Sequence, residues 1–355
     1  MEHLFPTLTR HPKRIVFTDG HDPRVIQAAA AFAQRRLGVC LLIGKPENIL
    51  PQAASLSLDL RHIKIIDPTS PHFADELDQF VRLMQSLPRF KNNDPQELRQ
   101  LASQPNYFAA LMLQLGQADA LAGGLCSTSG SLLRPLFHII KPRPGYKFVS
   151  SATIIQSPNT PIAHNGLLFF ADTAVIPKPT VEQLAHIAIE TARLARQITG
   201  QPPRIAMLSY STKGSAQNED IDRIIAATAL ARQHLITQQF PAEIDGELQA
   251  DAALVPEVAA IKAPNSPVAG KANVLIFPDL NSGNIALKLV QHLARAKAYG
   301  QILLGLDRPA AELSRGASVD EILHVAAIIA LQAIDYHKIY PDQIATTRYD
   351  SSHSP

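Results

Sequence analysis

The stretch Arg14-Ile15-Val16-Phe17-Thr18-Asp19-Gly20-His21-Asp22-Pro23-Arg24-Val25 joins a strand to a helix. Its apolar run, residues 14–18, predicts the strand. Asp22 followed by Pro23 predicts the helix start, because aspartate caps the first amides and proline fits the first helical position. The same succession recurs along the chain, which predicts an α/β protein with mainly parallel sheets.

The remaining predicted elements follow this alternation. Further strands are predicted at residues 39–44, 118–123, 148–155, 166–170, 204–209, 274–277 and 301–306. Further helices are predicted at residues 94–103, 106–115, 131–140, 180–199, 219–235 and 282–298, with a last one beginning after Ser318. The stretch between residues 236 and 273 is interpreted as glycine- and proline-rich loops.

The composition indicates a globular protein. A chain of 355 residues suggests two domains of ~150–200 residues each. No apolar run approaches the ~20 residues that span a membrane, and the first residues do not resemble a secretory signal. The two cysteines argue against a disulfide framework and favour a cytoplasmic protein. A net charge of +2 argues against nucleic-acid binding, and the scattered histidines argue against a metal site.

The run Leu313-Ser314-Arg315-Gly316-Ala317-Ser318-Val319-Asp320-Glu321-Ile322 places a guanidinium and two carboxylates at the start of an apolar helix. Ser318 is expected to cap this helix, whose first turn holds Asp320 and Glu321. Arg315 lies just before the helix, so its guanidinium and nearby amides can face one anion. A carboxylate one turn away could take a proton from a group bound beside that anion. The alternative is an ordinary surface ion pair.

A second candidate anion site lies in Gly123-Gly124-Leu125-Cys126-Ser127-Thr128-Ser129-Gly130-Ser131-Leu132-Leu133-Arg134-Pro135. This segment follows a strand and enters a helix, so amides are exposed at a helix N-terminus. Arg134 would add a fixed positive fork for the same phosphate or carboxylate. The structural alternative is a serine-rich turn with a surface arginine. The order of strand, glycine turn and helix favours the anion site.

Other polar segments carry weaker signals. The turns at residues 209–216 and 277–285 follow strands, where α/β proteins bind ligands, but both are also interpretable as structural turns. In the second, Asn281 is a candidate helix cap. The carboxylates of residues 245–249 are interpreted as a solvated loop or an inter-domain contact, and Arg89 as a basic residue near a cleft or on the surface. The first strand lacks a GxGxxG after it and no GxSxG occurs, which argues against a dinucleotide-binding fold and an α/β-hydrolase.

Several motifs, in one order along the chain, resemble those of the phosphate acetyl/butyryl transferase family, from about residue 14 to residue 335. They favour its acetyl branch. The motifs are Asp22-Pro23-Arg24-Val25, Ala118-Asp119-Ala120, Leu133-Arg134-Pro135, Lys147-Phe148-Val149-Ser150-Ser151, Met207-Leu208-Ser209-Tyr210-Ser211-Thr212, Asp245-Gly246-Glu247-Leu248-Gln249, Ala263-Pro264-Asn265-Ser266-Pro267, Pro278-Asp279-Leu280-Asn281 and Leu313-Ser314-Arg315-Gly316.

The resemblance implies reversible acetyl transfer between acetyl-CoA and phosphate, giving acetyl phosphate and CoA. It implies a two-domain fold like that of isocitrate and isopropylmalate dehydrogenases, with the site in an inter-domain cleft. The expected domains are residues 1–147 with 300–340, and residues 148–299, followed by a tail at 341–355. The family forms homodimers and needs no metal or nicotinamide, so coenzyme A is expected as a substrate and no cofactor is expected.

The resemblance also implies roles for the reacting end of the site. Arg315 and Arg134 would hold phosphate or acetyl phosphate, and Ser314 would orient the acyl oxygen. The family's catalytic base is an aspartate that aligns with Glu321. The extra methylene of Glu321 moves its carboxylate by roughly 1 Å, a displacement that can lower a rate ~10²-fold, and Asp320 is a possible substitute.

The remaining implied contacts concern substrate binding. Arg89 aligns with a family arginine that meets CoA or phosphate, and Thr128 and Ser129 align with a hydroxyl pair that lines the site. Asn281 belongs to the PDLN motif and is expected to bind substrate. Ser131 stands where the family usually has an aspartate.

The sequence favours direct transfer in a ternary complex, because no activated serine or cysteine with a partner base is evident. Three alternatives stay open at this point. They are a phosphate butyryltransferase-like enzyme for longer acyl groups, a catalytically weak paralogue that binds acyl-CoA, and a dehydrogenase of the same fold. The absence of clustered metal-binding aspartates opposes the dehydrogenase.

Overall fold

The computed structural model describes residues 1–157 and 166–339, so the predicted tail at 341–355 lies outside the described residues. Its strands are β1 (Lys13–Phe17), β2 (Gly38–Ile43), β3 (Ile63–Ile66), β4 (Ala120–Gly123), β5 (Ser150–Gln156), β6 (Leu167–Ala171), β7 (Arg204–Leu208), β8 (Glu243–Leu248), β9 (Val274–Ile276), β10 (Lys297–Leu304) and β11 (Ala310–Glu312). Its helices are α1 (Phe5–Arg10), α2 (Pro23–Gln34), α3 (Pro46–Ser55), α4 (Ala74–Ser86), α5 (Pro95–Ala102), α6 (Pro105–Gln114), α7 (Ser129–Ile139), α8 (Val181–Thr199), α9 (Glu219–Thr237), α10 (Ala250–Leu254), α11 (Pro256–Lys262), α12 (Leu280–Leu293) and α13 (Val319–Ile339). Within these ranges, no helix is both long enough and apolar enough to cross a bilayer.

Of the described residues, 1–144 and 306–339 make up the first compact unit. Its strands are all parallel and lie in the order β3-β2-β1-β4-β11. The chain passes from β1 outward to β2 and β3, then returns to add β4 on the other side of β1. The strand order therefore reverses between β1 and β4, and the crevice at their carboxyl ends is the place where open α/β sheets bind ligands.

The junction between β1 and α2 forms as the sequence predicts. Ile15, Val16 and Phe17 are fully buried between neighbouring parallel strands. Asp22 caps α2 by accepting a hydrogen bond from the Arg24 amide at 2.8 Å, and Pro23 fills the first helical position. The predicted strand-to-helix start is confirmed.

The second compact unit comprises Gly145–Gly305. Its strands lie in the order β10-β5-β6-β9-β7-β8, with β10–β5 and β5–β6 antiparallel and the other pairs parallel. α8 begins with a capping box between Thr180 and Gln183 and is followed by the C-cap residue Gly200, whose φ is 69°. The predicted α/β class with mainly parallel strands is confirmed. The predicted limits at residues 147/148 and 299/300 concern folding domains and stay a prediction.

Two predictions at the second unit's edges are wrong. The interpretation of residues 245–249 as a solvated loop is wrong, because Asp245 and Glu247 are buried in β8. The alternative of an inter-domain contact stays a prediction. Lys213 Nζ lies 2.5 Å from Asp245 Oδ1, and this pairing makes the buried charge tolerable. The predicted helix at 282–298 ends at Leu293, because residues from Lys297 pair with β5. The short strands β3 and β11 were not predicted.

Candidate active site

Asp19 connects the two loops that leave β1 and β4. Its carboxylate is buried and accepts hydrogen bonds from the amides of Leu125 and Cys126, both at 3.1 Å. The Thr18 hydroxyl donates a third bond at 3.1 Å. A buried carboxylate is stable when donors surround it, so this residue fixes the loop after β4 against the loop after β1.

The glycine turn after β4 exists because the two loops approach closely. A Cβ on Gly123 would overlap the Thr18 side chain. Gly124 has a φ of +91°, which side chains other than glycine rarely adopt, and a Cβ there would lie 3.1 Å from Glu312 Cγ. The two glycines that predict a tight turn are therefore required by the close packing of the loops after β1 and β4.

The N-terminus of α7 follows this turn and is open. Thr128 is the N-cap residue, with an extended backbone and, in the described chain, no side-chain bond to the helix amides. Thr128, Ser129 and Gly130 are exposed, and the first turn carries no acidic residue. Exposed first-turn amides and the helix dipole make this end of α7 suitable for an anion.

Arg315 lies against this helix start. Ser314 to Ala317 forms a tight turn closed by a hydrogen bond from the Ala317 amide to the Ser314 carbonyl at 2.9 Å. Arg315 is exposed on that turn, and its Nε donates to the Ser127 carbonyl at 3.3 Å. The structure thus places a guanidinium beside the loop that leads into α7, as the anion-site hypothesis requires.

Arg134 and Arg89 form a second basic group on α7 and the loop after α4. Both are exposed, and both act electrostatically on Tyr107 and His138. Burial lowers the pKa of His138, and the two guanidiniums lower it further. The His138 ring packs against Phe90 at 5.8 Å between ring centroids. The structure therefore brings Arg89 to the surface that carries Arg134.

Glu321 lies at the start of α13 in a capping box. Its Oε2 accepts hydrogen bonds from the Ser318 amide at 2.8 Å and the Ser318 hydroxyl at 2.9 Å, and its own amide donates to Ser318 Oγ at 3.2 Å. The side chain is buried. The neighbouring Asp320 carboxylate lies 3.2 Å from His324 Nδ1, and the His324 ring stacks on Phe5. Both candidate bases thus have structural partners in the first turn of α13.

Asn281, which is predicted to contact substrate, lies in the second unit. Asn281 is exposed in the first turn of α12, whose cap is Asp279 and not Asn281, with the Ser282 amide donating to Asp279 Oδ1 at 2.8 Å. The interpretation of Asn281 as a cap is wrong. Its expected contact with substrate stays a prediction.

Side chains and amides of β8 and the residue after it form hydrogen bonds with the turn at residues 209–216. Glu247 Oε1 accepts bonds from the Gly214 amide at 2.7 Å and the Ser211 hydroxyl at 3.1 Å. The Thr212 hydroxyl accepts a bond from the Gln249 amide at 2.9 Å. A buried carboxylate of the protein thus accepts two donors of this turn, which favours the structural interpretation over an anion site.

Cys126 is an exposed thiol in the loop before α7. Its Sγ lies 3.5 Å from Asp22 Oδ2. Partial burial, together with Asp19 and Asp22, raises the pKa of Cys126 to about 11. A thiol with this pKa is almost entirely protonated at neutral pH and is a poor nucleophile. In the described residues, no group of three or more His, Cys, Asp or Glu side chains is arranged for a metal.

Comparison with known proteins agrees with these features. The family model described as phosphate acetyl/butaryl transferase matches residues 1–330, and the chain belongs to that family. A phosphate acetyltransferase of Thermoanaerobacterium thermosaccharolyticum is 43% identical over 321 residues, which cover 90% of this chain and 95% of that protein. A phosphotransacetylase structure from Streptococcus pyogenes is 36% identical, with a TM-score of 0.81 over 94% of this chain and 99% of that one.

A more distant structure bears on the fold alone. A protein described as a 4-hydroxythreonine-4-phosphate dehydrogenase from Salmonella typhimurium is 13% identical, with a TM-score of 0.51 over 91% of this chain and 99% of that one. The predicted dehydrogenase-like fold is confirmed by this likeness.

The environment of Cys126 predicts slow alkylation. Iodoacetamide should modify Cys126 slowly at pH 8, with the rate rising about tenfold per pH unit towards the thiol pKa of about 11, because the thiolate is the reacting form. Cys126→Ser should keep at least half of the acyl-transfer rate. Mass spectrometry separates Cys126 from the buried Cys40. Rapid alkylation at pH 7, or an inactive serine variant, would contradict this account.

Proposed function

We propose that the chain is a phosphate acetyltransferase, which transfers an acetyl group reversibly between coenzyme A and orthophosphate. The observation that carries the proposal is the exposed Arg315 beside the open N-terminus of α7, in a chain of this family. A guanidinium and helix amides together form a site for a compact dianion such as phosphate. The relatives named phosphate acetyltransferase support the acetyl donor over a longer acyl group.

We assign the phosphate end of the substrates to this position. Arg315 would hold the phosphoryl group of acetyl phosphate, with Arg134 as a second cation on α7. Ser314 would orient the acyl oxygen from the turn that carries Arg315. The hydroxyls of Thr128 and Ser129 would donate hydrogen bonds at the open helix end, which is exposed to solvent.

Coenzyme A is the second substrate and no resident cofactor is proposed. Arg89 would meet a phosphate group of CoA, and Asn281 would contribute a hydrogen-bonding amide. The exchange of a thioester for a mixed anhydride with phosphate moves no electrons between redox states. The chemistry therefore needs a base and cations and does not call for a metal or a nicotinamide.

The proposed reaction is a single displacement at the acetyl carbonyl. Glu321 accepts the thiol proton of CoA, and the thiolate attacks the carbonyl carbon of acetyl phosphate. The new S–C bond forms as the C–O bond to phosphate breaks, and phosphate leaves with both bonding electrons. Arg315 and Arg134 stabilise the negative charge that develops on the carbonyl oxygen and the leaving phosphate. The high pKa of Cys126 supports direct transfer over an acyl-cysteine intermediate.

One experiment tests the proposed function and the role of Arg315 together. Purified protein should form acetyl-CoA from acetyl phosphate and CoA, followed by thioester absorbance, at a higher rate than butyryl-CoA from butyryl phosphate. Arg315→Ala should lower kcat/KM about 10²–10³-fold, because a cation at the developing charge is lost. Its circular dichroism spectrum should match the wild type, because the side chain is exposed.

Arg61→Ala is the matched control, an exposed arginine paired with Asp59 in the same unit. It should keep the wild-type rate. If the wild type binds CoA saturably but shows no turnover, the proposed enzyme activity is refuted and the non-catalytic acyl-CoA-binding paralogue is favoured. Faster turnover of butyryl phosphate would favour the longer-acyl transferase.

A substitution of Glu321 separates its proposed catalytic role from its capping role. Glutamine can accept the same bonds from Ser318, so Glu321→Gln should keep the capping box and the thermal unfolding midpoint. It cannot accept the thiol proton as a carboxylate does, so kcat should fall about 10²-fold or more. A wild-type kcat in this variant would limit Glu321 to capping, and Asp320→Asn would then be the next variant to measure.

We also propose a cytoplasmic homodimer. The free cysteines Cys40 and Cys126 fit a reducing compartment. Ile285, Leu289 and Leu293 of α12 are exposed by 58, 52 and 80% and recur every fourth residue. A continuous apolar stripe of this kind on a helix is suited to a contact with a second copy of the chain.

The dimer prediction is tested by one charge on this stripe. Leu289→Asp should convert a dimer to a monomer in sedimentation velocity, because a carboxylate would be desolvated in the contact. Ile236→Asp is the control, since Ile236 is 71% exposed on α9. If Leu289→Asp stays a dimer, the dimer contact does not lie on this stripe. If the wild type is a monomer, the homodimer proposal is refuted.

A further inference from the structure

Arg24 links two segments of the first unit through one guanidinium, the start of α2 and the turn before α13. Its Nε and Nη2 donate to the two Asp22 oxygens at 3.0 and 2.9 Å. Its Nη1 donates to the main-chain carbonyls of Arg315 at 2.8 Å and Ala317 at 3.1 Å. All three nitrogens of the guanidinium are thus occupied, one side by α2's cap residue and the other by the turn before α13.

The carbonyls that Arg24 holds belong to the tight turn that presents Arg315. The Ala317 amide closes this turn on the Ser314 carbonyl, so the orientation of the turn decides where the Arg315 side chain leaves the backbone. Asp22 also lies 3.5 Å from Cys126 Sγ. The Asp22–Arg24 pair therefore contacts the loops after β4 and β11 from the loop after β1.

We propose that Arg24 is a positioning residue for acyl transfer, one that fixes the Ser314–Arg315 turn against the start of α2. The inference rests on the proposed function only in assigning the anion to Arg315. Arg24 does not compete for that anion, because Asp22 neutralises it at bidentate distance. Hydrogen bonds from Arg24 outweigh the opposing effect of burial and hold the pKa of Asp22 below its usual range, so the pair is ionised at neutral pH.

The chain supplies a matched control for this arrangement. Asp59-Leu60-Arg61 repeats the Asp-x-Arg spacing, with the Arg61 amide on Asp59 Oδ1 at 2.9 Å and Nε on Oδ2 at 2.7 Å. The corresponding amide distance at Asp22 is 2.8 Å. In the part of the chain that the structure describes, the hydrogen bonds of the Arg61 side chain stay within this tripeptide. The Arg24 side chain instead also bonds to the carbonyls of Arg315 and Ala317, which are distant in sequence.

The experiment compares Arg24→Lys with Arg61→Lys. A lysine has one nitrogen and cannot bridge a carboxylate and two carbonyls in the planar geometry of a guanidinium. Arg24→Lys should lower kcat about 10–100-fold per folded molecule, because a displacement near 1 Å suffices for such a loss. The KM for CoA should stay within about twofold, and Arg61→Lys should match the wild type.

Hydrogen–deuterium exchange supplies a readout that does not need turnover. Peptides covering residues 313–318 should exchange faster in Arg24→Lys, because the turn is no longer held by Arg24 and the hydrogen bond from the Ala317 amide to the Ser314 carbonyl opens more often. Exchange in peptides of β2 and β3 should not change. Asp22→Asn keeps Arg24 and should give a smaller effect in the same peptides. Exchange and kcat equal to those of Arg61→Lys would overturn the inference, as would a loss explained by the unfolded fraction alone. A wild type without turnover would refute the proposed function, and the exchange result would then decide the positioning of the turn.

Discussion

Two carboxylates in the loop after β1 organise the candidate site. Asp19 holds the amides of Leu125 and Cys126, and Asp22 holds the guanidinium of Arg24, which in turn holds the turn at Arg315. Charges in a poorly hydrated position are stable only when donors satisfy them, so each carboxylate requires a defined loop conformation. The three loops at the carboxyl ends of β1, β4 and β11 are thereby joined by electrostatic contacts from one short segment.

The same physical rule separates a binding turn from a structural turn. In the turn at residues 209–216, Glu247 accepts hydrogen bonds from the Ser211 hydroxyl and the Gly214 amide, so these two donors are already paired within the protein. At the start of α7, the internal carboxylate Asp19 takes only the amides before Ser127, and the first helical turn stays exposed. Both segments follow a strand and are rich in hydroxyls, and the sequence favoured the segment that enters α7 as an anion site only through its glycine turn. The difference is which amides a carboxylate distant in sequence binds: Glu247 binds within the turn at 209–216, whereas Asp19 binds before the start of α7.

The sequence predicted most strands and helices because their apolar runs and caps are local signals. It missed β8 because Asp245 and Glu247 interrupt the apolar pattern, and the partners that allow their burial come from the loop after β7. It extended α12 too far because the stretch beyond Leu293 has good helix formers. Pairing of β10 with β5 overrides that propensity, and Arg295 turns the chain with a φ of 52°.

Arg315, Arg134 and Glu321 could be proposed from motifs, whereas Arg24 could not be assigned a role from its neighbours. Its spacing from Asp22 is that of an ordinary local pair, as at Asp59 and Arg61, and its decisive partners are main-chain carbonyls without a sequence signature. Because Asp22 cancels the charge of Arg24, the net positive charge of the turn stays on Arg315. The division is physically sensible, since a cation that anchors the backbone would otherwise attract the phosphate away from the position where Arg315 stabilises it.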